Sequence, residues 1–448
     1  MGAVGANGIS RGWTRSDVRR KNGGDRTERR RAHPERGVIA SLSLEQWLVT
    51  EAIRQALVPD CPARPVDPRY DGSPDWDAVA ALALEQSIAA LVAGKLGSSG
   101  LAVPERIEIV LRRAAALDAA SSTVGLVLTF RRVVTALDSV GLRPIVLKGA
   151  MLAYTAYRQP SQRTLGDVDL LLPPSDLARA HQALLRHGFA NDDAVAAANA
   201  KVNHHLQPYV LRGSGVAVEL HHQLLSEPHP YALDLEGFRA RVEVKPVAGI
   251  DVLVPSPADA LHHVCIHLAY PHRYERAPLR SLVDILAIAT SRRSEIDWDL
   301  FLATVRSART AGAVYWPLRM SQAWLAAPIP EWVISRLAPP APVRGLLTAF
   351  AEPGFILGGP SLRGNSNGAL SAVLRDVSLY EGCSVPRQLA ALWRSSFPPP
   401  EEVGHLPPSI RGSRLRYAAF LVSPWRLARG VLACGRLFAQ LCRAELTR

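Results

Sequence analysis

The sequence predicts an α+β fold in which short strands lie between two helical regions. Residues 38–138 and residues 256–350 have helical periodicity, whereas residues 139–255 contain short apolar segments bounded by Gly and Pro. The chain has 448 residues, of which 48% are hydrophobic and 21% are charged. A chain of this size and composition can bury a sizeable core, so wholesale disorder is excluded.

The first helical region, residues 38–138, is predicted to form a bundle. Asp75 is a typical N-cap for a helix over residues 76–96, which Gly97 would end. A long periodic stretch follows over residues 107–137. Because short loops join these segments, we expect the helices to pack beside the next unit.

The strand region, residues 139–255, opens with two short apolar runs. Residues 142–147 and 167–172 lie next to Gly or Pro and have the length of buried strands. A helix over residues 151–157 is predicted between them. Ser175 is predicted to cap the helix that follows the second strand.

Two further apolar segments, residues 206–211 and 216–220, are predicted to pair as a hairpin around a Gly-Ser-Gly turn. Beyond residue 255 the pattern is helical again. Helices are predicted over residues 257–268, 278–289, 298–308 and 313–326. Residues 351–410 form a segment rich in Gly, Ser, Asn and Pro, which predicts loops.

The formal charge of +12 is concentrated at the two ends of the chain. Residues 1–36 hold ten Lys and Arg against four acidic residues, and residues 411–448 hold eight Arg against one Glu. Residues 1–37 are interpreted as a disordered basic arm, with a weak nucleic-acid contact as the alternative. Residues 411–448 have the pattern of a basic amphipathic helix, which we expect to pack on the body; a membrane surface or nucleic acid would be the alternative partner.

The cysteines and the apolar segments indicate the compartment. The five Cys are scattered and odd in number, which argues against a disulfide scaffold and against a CxxC-type metal framework. No run of about 18 uncharged apolar residues and no apolar signal segment occurs, so neither a transmembrane helix nor secretion is predicted. We therefore expect a cytoplasmic protein.

Asp167 and Asp169 are the most informative pair in the sequence. Side chains alternate along a strand, so both carboxylates project from one face. Adjacent carboxylates repel each other unless a cation neutralises them, and oxygen ligands on a rigid strand suit Mg²⁺. The pair therefore predicts a catalytic metal site that acts on a nucleoside triphosphate (NTP). A solvated strand edge is the alternative.

A third carboxylate would complete such a site, and the next predicted strand carries Glu219. Glu219 and His221 share a face by the same alternation. We take Glu219 as the third metal ligand and catalytic carboxylate. His221 is assigned to the nucleotide-binding group, where it would orient a ligand or the nucleophile.

Lys148, Gly149 and Arg163 are the other predicted nucleotide-binding residues. Lys148 and Gly149 end the first strand, and the N-terminus of the next helix can accept a phosphate. Arg163 lies four residues before Asp167, from where a guanidinium can contact phosphate. The alternative for Arg163 is a solvated loop cation.

These motifs resemble the nucleotidyltransferase superfamily of the DNA polymerase beta type. Within it, the chain is similar to bacterial nucleotidyltransferase family proteins that occur near peptide-modification or exopolysaccharide gene clusters. The resemblance extends from about residue 40 to about residue 400. It rests on Leu147-Lys-Gly149, Arg163-x-x-Gly-Asp-x-Asp169, Val218-Glu-Leu-His221, Leu261-His-His-x-x-x-His267 and Leu279-Arg-x-Leu-x-Asp284.

The resemblance implies a small mixed-sheet catalytic core with flanking helices, an NTP substrate and Mg²⁺. By position, the two strand aspartates match the metal pair of the superfamily, and Gly149 matches its phosphate-loop glycine. Ala150 stands where the superfamily usually has Ser, so Lys148 is expected to take over that phosphate contact. The third acid is Glu219 rather than the commoner Asp.

His263 and His267 lie four residues apart on one predicted helical face, which is also a spacing of zinc ligands. The Glu of an HExxH motif is absent, which argues against a zinc protease and leaves a metal site as the alternative to packing. We interpret both as helix-packing histidines, with Asp284 as a hydrogen-bond partner for one of them.

The leading hypothesis is a Mg²⁺-dependent nucleotidyltransferase that transfers a nucleoside monophosphate (NMP) to an acceptor and releases pyrophosphate. The acceptor would be a small molecule, a peptide or RNA. A toxin-like enzyme that modifies tRNA or protein is one alternative, which the basic ends favour. A non-catalytic scaffold is another, which the departures at Ala150 and Glu219 favour.

Overall fold

The computed structural model describes residues 42–357, apart from residues 67–69, 71, 121–124, 192–203, 212–215, 227–228, 273, 275–276, 340, 342–343 and 345–352. The predicted basic arm and the C-terminal amphipathic helix lie outside the described residues, as does most of the loop-rich segment. Within the described part of the chain, every helix is too short or too polar to cross a membrane.

Helices lie on both sides of the strand region in the chain. The first region contains α1 Leu44–Leu57, α2 Trp76–Glu85, α3 Ala89–Val92, α4 Glu105–Ala120 and α5 Val127–Asp138. The strand region contains α6 Lys148–Thr155, α7 Leu177–Arg186 and α8 Leu235–Ala240. The last region contains α9 Pro257–Ala269, α10 Pro278–Ser291, α11 Trp298–Ser307, α12 Ala311–Leu325, α13 Glu331–Leu337 and α14 Pro353–Ile356.

The strands form one mixed sheet in the spatial order β3-β4-β5-β2-β1-β7-β6. They are β1 Ile145–Val146, β2 Asp167–Leu171, β3 Phe189–Ala190, β4 Tyr209–Leu211, β5 Ala217–His221, β6 Glu243–Val247 and β7 Ile250–Val254. β2 pairs in parallel with β5, and β1 pairs in parallel with β7, whereas the other neighbours are antiparallel. The α+β fold with a mixed sheet is therefore confirmed.

The predicted helix over residues 76–96 is wrong beyond Glu85. Asp75 caps α2 as predicted, because its carboxylate accepts hydrogen bonds of 3.0 Å from two backbone N–H groups of the first turn. The helix then ends at Gln86, and Ser87 has a positive φ of 54°. The buried Gln86 side chain accepts a hydrogen bond of 3.0 Å from the backbone N–H of Leu279, so a tertiary contact overrides the helical periodicity.

Most of the other predicted elements are present with shifted ends. Ser175 does not cap α7, because it lies inside a 3-10 turn at Pro174–Asp176. The predicted hairpin is confirmed by the antiparallel pairing of β4 and β5, and its turn, residues 212–215, lies outside the described residues. The predicted helical stretch 107–137 corresponds to two helices, α4 and α5. Residues 121–124 between them lie outside the described residues. Helices α9 to α12 confirm the four predicted after residue 255.

Helix α6 holds the end of β1 close to the centre of the sheet. It packs on β2 and β6 and against α9 and α10. The backbone N–H of Leu147 donates a hydrogen bond of 2.9 Å to the carbonyl of Asp169, which joins the start of α6 to β2. Ile145, Leu147 and Leu171 are buried in one apolar cluster with Phe238, so this junction is anchored in the core.

Candidate functional site

Two parallel strands at the centre of the sheet carry the three predicted carboxylates. β2 and β5 pair with Asp169 opposite Glu219, and Asp167 lies two residues earlier on the same face of β2. Val168 and Leu170, which alternate with the aspartates, are fully buried. Strand alternation therefore turns the acids away from the apolar core.

A cavity of about 730 Å³ lies over this face of the sheet. Its walls come from the strand region and from helices α9 and α10. A volume of this size is typical of sites for small ligands. Six of the seven predicted site residues line it: Lys148, Gly149, Arg163, Asp167, Asp169 and Glu219. The seventh, His221, is fully buried behind the acids.

Asp169 is the most enclosed of the three acids, with 2% of its side chain exposed. Its Oδ1 accepts a hydrogen bond of 3.0 Å from Lys148 Nζ and lies 2.7 Å from His221 Nε2. Burial acts to raise the pKa of Asp169, but the Lys148 ammonium and the His221 hydrogen bond outweigh it and hold the pKa well below its usual range. Asp169 is therefore a buried carboxylate that stays ionised.

Asp167 differs from Asp169 because its carboxylate opens into the cavity. The cavity walls still limit its hydration, and this desolvation, together with the neighbouring Asp169 carboxylate, raises the pKa of Asp167 to about 6. Lys148 opposes the shift and Glu219 adds to it. Asp167 and Asp169 are equivalent in the sequence pattern, but the structure shifts their pKa values in opposite directions.

Glu219 and His221 complete the acidic centre. Glu219 Oε2 lies 3.4 Å from His221 Nε2 and 3.7 Å from His205 Nε2. Burial acts to raise the pKa of Glu219, but the hydrogen bond with His221 contributes to a pKa below the usual value. Ligand atoms of Asp169, Glu219 and His221 all lie within 4.8 Å of one another, so these three could hold one metal ion, and Asp167 is not part of this group. Carboxylate oxygens with one imidazole nitrogen form a donor set that fits a divalent cation.

Lys148 and Gly149 form the tight junction between β1 and α6. Lys148 has a φ of +45°, a left-handed conformation that costs a non-glycine residue about 1 kcal/mol or more. A Cβ atom on Gly149 would lie 3.0 Å from Leu165 Cδ2, which is a tight contact, and 3.7 Å from an Arg163 nitrogen. The glycine therefore lets the start of α6 approach Arg163 and the cavity closely.

Arg163 lines the cavity but is not a solvated loop cation. Its guanidinium donates to both carboxylate oxygens of Asp284 on α10, from Nε at 2.7 Å and from Nη2 at 2.9 Å. Tyr157 donates a third hydrogen bond of 2.6 Å to Asp284. Burial acts to lower the pKa of Arg163, but the Asp284 carboxylate outweighs it and the pKa lies above its ordinary value. The expected hydrogen bond between Asp284 and a histidine is wrong, because Arg163 and Tyr157 occupy its oxygens.

Histidines line the side of the cavity near Lys148 and Glu219, and the sequence predicted neither the place of His272 nor the convergence of these rings. His204, His205, His267 and His272 all face the cavity. Burial, followed by neighbouring imidazoles, lowers the pKa of His204 to about 2, and burial with the nearby Lys148 lowers the pKa of His267 well below its usual value. His204 and His267 are therefore neutral near pH 7. His263 is buried as predicted, whereas its helical neighbour His267 contributes to the cavity wall.

The comparison with known families agrees with this geometry. Residues 72–326, more than half of the chain, match a family described as uncharacterised nucleotidyltransferase. No curated protein and no solved structure matches the chain significantly. The sheet, the acidic centre and the cavity all lie within the matched residues. The fold and site define a nucleotidyltransferase-type protein, and the chain belongs to this uncharacterised nucleotidyltransferase family.

Proposed function

We propose that the protein is a Mg²⁺-dependent nucleotidyltransferase of the DNA polymerase beta type. It would transfer an NMP from an NTP to an acceptor oxygen and release pyrophosphate. The observation that carries the proposal is the register of β2 and β5, which aligns Asp169 with Glu219 on the face where Asp167 also opens into the cavity. The ligand atoms of Asp169, Glu219 and His221 within 4.8 Å of one another support a cation site at this point.

The proposed reaction is a single displacement at the α-phosphorus of the NTP. An acceptor oxygen forms a bond to that phosphorus while the bond to the oxygen that bridges to the β-phosphate breaks. Pyrophosphate leaves with the bridging oxygen. If the acceptor is a hydroxyl, its proton passes to the acidic centre or to water.

Each predicted residue has a role in this proposal. Asp167, Asp169 and Glu219 would hold the divalent cation, and their oxygen ligands favour Mg²⁺. A bound cation supplies charge stabilisation for the phosphate oxygens. His221 would orient Asp169 and Glu219, because its Nε2 contacts both carboxylates. Lys148, Gly149 and Arg163 would contact the triphosphate.

The proposal leaves three classes of acceptor open. A small molecule, a peptide and RNA all supply a suitable oxygen, and the basic ends of the chain would suit RNA. The scattered cysteines support a reducing compartment such as the cytoplasm. Incubation of the protein with Mg²⁺, each labelled NTP and a cell lysate would show which class of molecule becomes labelled.

The proposal is tested by the double variant Asp167→Asn with Asp169→Asn. Loss of both charges should abolish Mg²⁺-dependent NTP turnover, because the cation then has only Glu219 as a carboxylate ligand. The matched control is Asp138→Asn with Asp299→Asn, which removes two exposed carboxylates that do not line the cavity. This control should turn over NTP like the wild type.

Two results would contradict the proposal. Full turnover of NTP in the double variant would show that Asp167 and Asp169 are not needed for the reaction. Calorimetry that detects no Mg²⁺-dependent binding of any of the four NTPs to the wild type would instead support a non-catalytic scaffold.

A further inference from the structure

Arg280 lines the cavity, and none of the described residues forms a hydrogen bond or a salt bridge with its guanidinium. The other two cations of the cavity wall are paired: Lys148 with Asp169, and Arg163 with Asp284. Arginine is rarely enclosed in a protein without a partner, because removing a guanidinium from water is costly unless an anion compensates. Among the described residues, Arg280 is therefore a cavity cation that no anion pairs with directly.

The nearest anion on the same helix is already occupied. Asp284 lies one turn after Arg280 on α10, but its oxygens accept three hydrogen bonds, from Arg163 and Tyr157. Burial lowers the pKa of Arg280, and the neighbouring Arg163 guanidinium lowers it further. Two guanidinium groups thus repel each other beside one carboxylate, an arrangement that an anionic ligand would stabilise.

The position of Arg280 in the cavity indicates which anion it would bind. The charged groups that act on it most are Arg163, Asp284 and Asp167. The histidines, in contrast, interact with Lys148 and Asp169. The cavity wall therefore includes Arg163 and Arg280 near Asp167, and His204 and His267 near Lys148.

We propose that Arg280 binds the β- and γ-phosphates of the NTP, the part that leaves as pyrophosphate. This inference rests on the proposed function, since it assigns a residue to the donor substrate of the same site. The Arg280 guanidinium offers a planar, multidentate group for phosphate oxygens, which a lysine does not offer.

Direct binding tests the assignment without any need for turnover. The ligands are the four NTPs, the four NMPs and inorganic tripolyphosphate, each with Mg²⁺, measured by calorimetry. Arg280→Gln should weaken binding of NTP and tripolyphosphate by about 10- to 100-fold, which corresponds to the loss of charge-assisted hydrogen bonds. Binding of NMP should change by about 2-fold or less. Arg280→Lys keeps the charge but not the planar guanidinium, so it should lose less affinity for NTP and tripolyphosphate than Arg280→Gln.

The matched control is Arg306→Gln on α11. It removes the same charge from an exposed arginine that does not line the cavity, so NTP affinity should equal that of the wild type. If Arg306→Gln loses as much NTP affinity as Arg280→Gln, the effect is due to net charge, and the assignment is overturned.

Failure of the assignment and failure of the proposed function give different results. If the wild type binds NTP and Arg280→Gln binds NTP and tripolyphosphate equally well, the role of Arg280 is overturned and the proposed function stands. An equal loss for NMP and NTP would also overturn the assignment to the outer phosphates. If the wild type binds no NTP in the presence of Mg²⁺, the proposed function fails and this inference fails with it.

Thermal unfolding separates a binding role from a structural one. Because Arg280 has no partner among the described residues, Arg280→Gln should unfold at the same temperature as the wild type or at a higher one when no ligand is present. Tripolyphosphate with Mg²⁺ should raise the unfolding temperature of the wild type more than that of the variant. A lower unfolding temperature for the ligand-free variant would show that Arg280 stabilises the fold, and would overturn the assignment.

Discussion

Lys148 Nζ donates a hydrogen bond of 3.0 Å to Asp169 Oδ1, an oxygen that also lies 2.7 Å from His221 Nε2. The lysine reaches this oxygen from a left-handed backbone conformation at the junction of β1 and α6. Both the ammonium and a divalent cation would be drawn to the same carboxylate. Lys148 and the proposed cation therefore compete for Asp169 unless the lysine turns to a phosphate when the nucleotide binds.

This competition predicts the behaviour of Lys148→Met. Without nucleotide, the variant should bind Mn²⁺, used as a spectroscopic probe for Mg²⁺, about tenfold more tightly than the wild type, because a unit charge no longer opposes the ion at short range. With nucleotide, it should bind NTP more weakly, because a phosphate contact is lost. Electron paramagnetic resonance titration of Mn²⁺ measures the first effect and calorimetry measures the second.

Lys148→Arg is the matched control, since it keeps the positive charge beside Asp169. Its Mn²⁺ affinity should stay within about threefold of the wild type. Weaker Mn²⁺ binding in Lys148→Met than in the wild type would contradict the competition and would show that the lysine supports the metal site.

Arg163 and Asp284 form a buried pair whose side chains are 12% and 5% exposed. Arg163→Met should destabilise the protein by about 3–5 kcal/mol, because it leaves the Asp284 carboxylate buried with only Tyr157 as a partner. The double variant Arg163→Met with Asp284→Leu should recover at least half of that loss. Urea denaturation measures both effects.

The control for this pair is Arg106→Met, the same substitution in an exposed arginine that is paired with Asp77. Its urea midpoint should be close to that of the wild type, because water replaces an exposed partner. A similar loss in Arg106→Met and Arg163→Met would contradict the argument from burial.

Local patterns predicted those parts of the site that depend on neighbours in the sequence. Strand alternation alone places Asp167 and Asp169 on one face, and the apolar run before Lys148 predicts the strand that delivers it. The pairing of β2 with β5 joins residues about fifty positions apart, and the alignment of Asp169 with Glu219 depends on that long-range register. Sequence reasoning nominated Glu219 but had no means of placing it opposite Asp169.

Tertiary contacts account for what the sequence did not predict. The break after α2 depends on a hydrogen bond between Gln86 and Leu279, which are distant in the chain. The burial of Arg163 depends on Asp284, and the isolation of Arg280 depends on the same carboxylate. The helix start at Leu279-Arg280 gives no local signal of whether the arginine will find a partner.

His221 positions the acids in the proposed site, and its substitution should affect the metal more than the nucleotide. His221→Phe keeps a ring of similar size but removes the hydrogen bond to Asp169 and the contact with Glu219. Mn²⁺ affinity should fall by about 10- to 100-fold, as is typical when the groups that orient metal ligands are lost. His221→Gln, whose amide can donate to Asp169, should retain more of the affinity. Equal Mn²⁺ affinities in the wild type and His221→Phe would show that His221 does not orient the metal ligands.

Asp167 predicts a stability that depends on pH when no metal is present. Its folded-state pKa of about 6 lies above the ordinary value of 3.8, so folding favours the protonated carboxyl. The unfolding free energy should therefore fall as the pH rises from about 4 to about 7, where ionisation is opposed in the folded state but not in the unfolded state. Asp167→Asn removes this effect. In EDTA at pH 7 the variant should be more stable than the wild type by about 1 kcal/mol, a value reduced from the full shift because the carboxylate opens to solvent.

The difference between Asp167→Asn and the wild type should nearly vanish at about pH 3, where the wild-type carboxyl is mostly protonated in both states. At pH 7, Mg²⁺ in excess should reverse the order, because the ion binds the folded wild type more tightly than the folded variant. Urea denaturation at both pH values, with EDTA and with Mg²⁺, checks the three statements together. A variant that is less stable than the wild type in EDTA at pH 7 would mean that the Asp167 carboxylate stabilises the metal-free fold, contrary to its repulsion by Asp169 and Glu219.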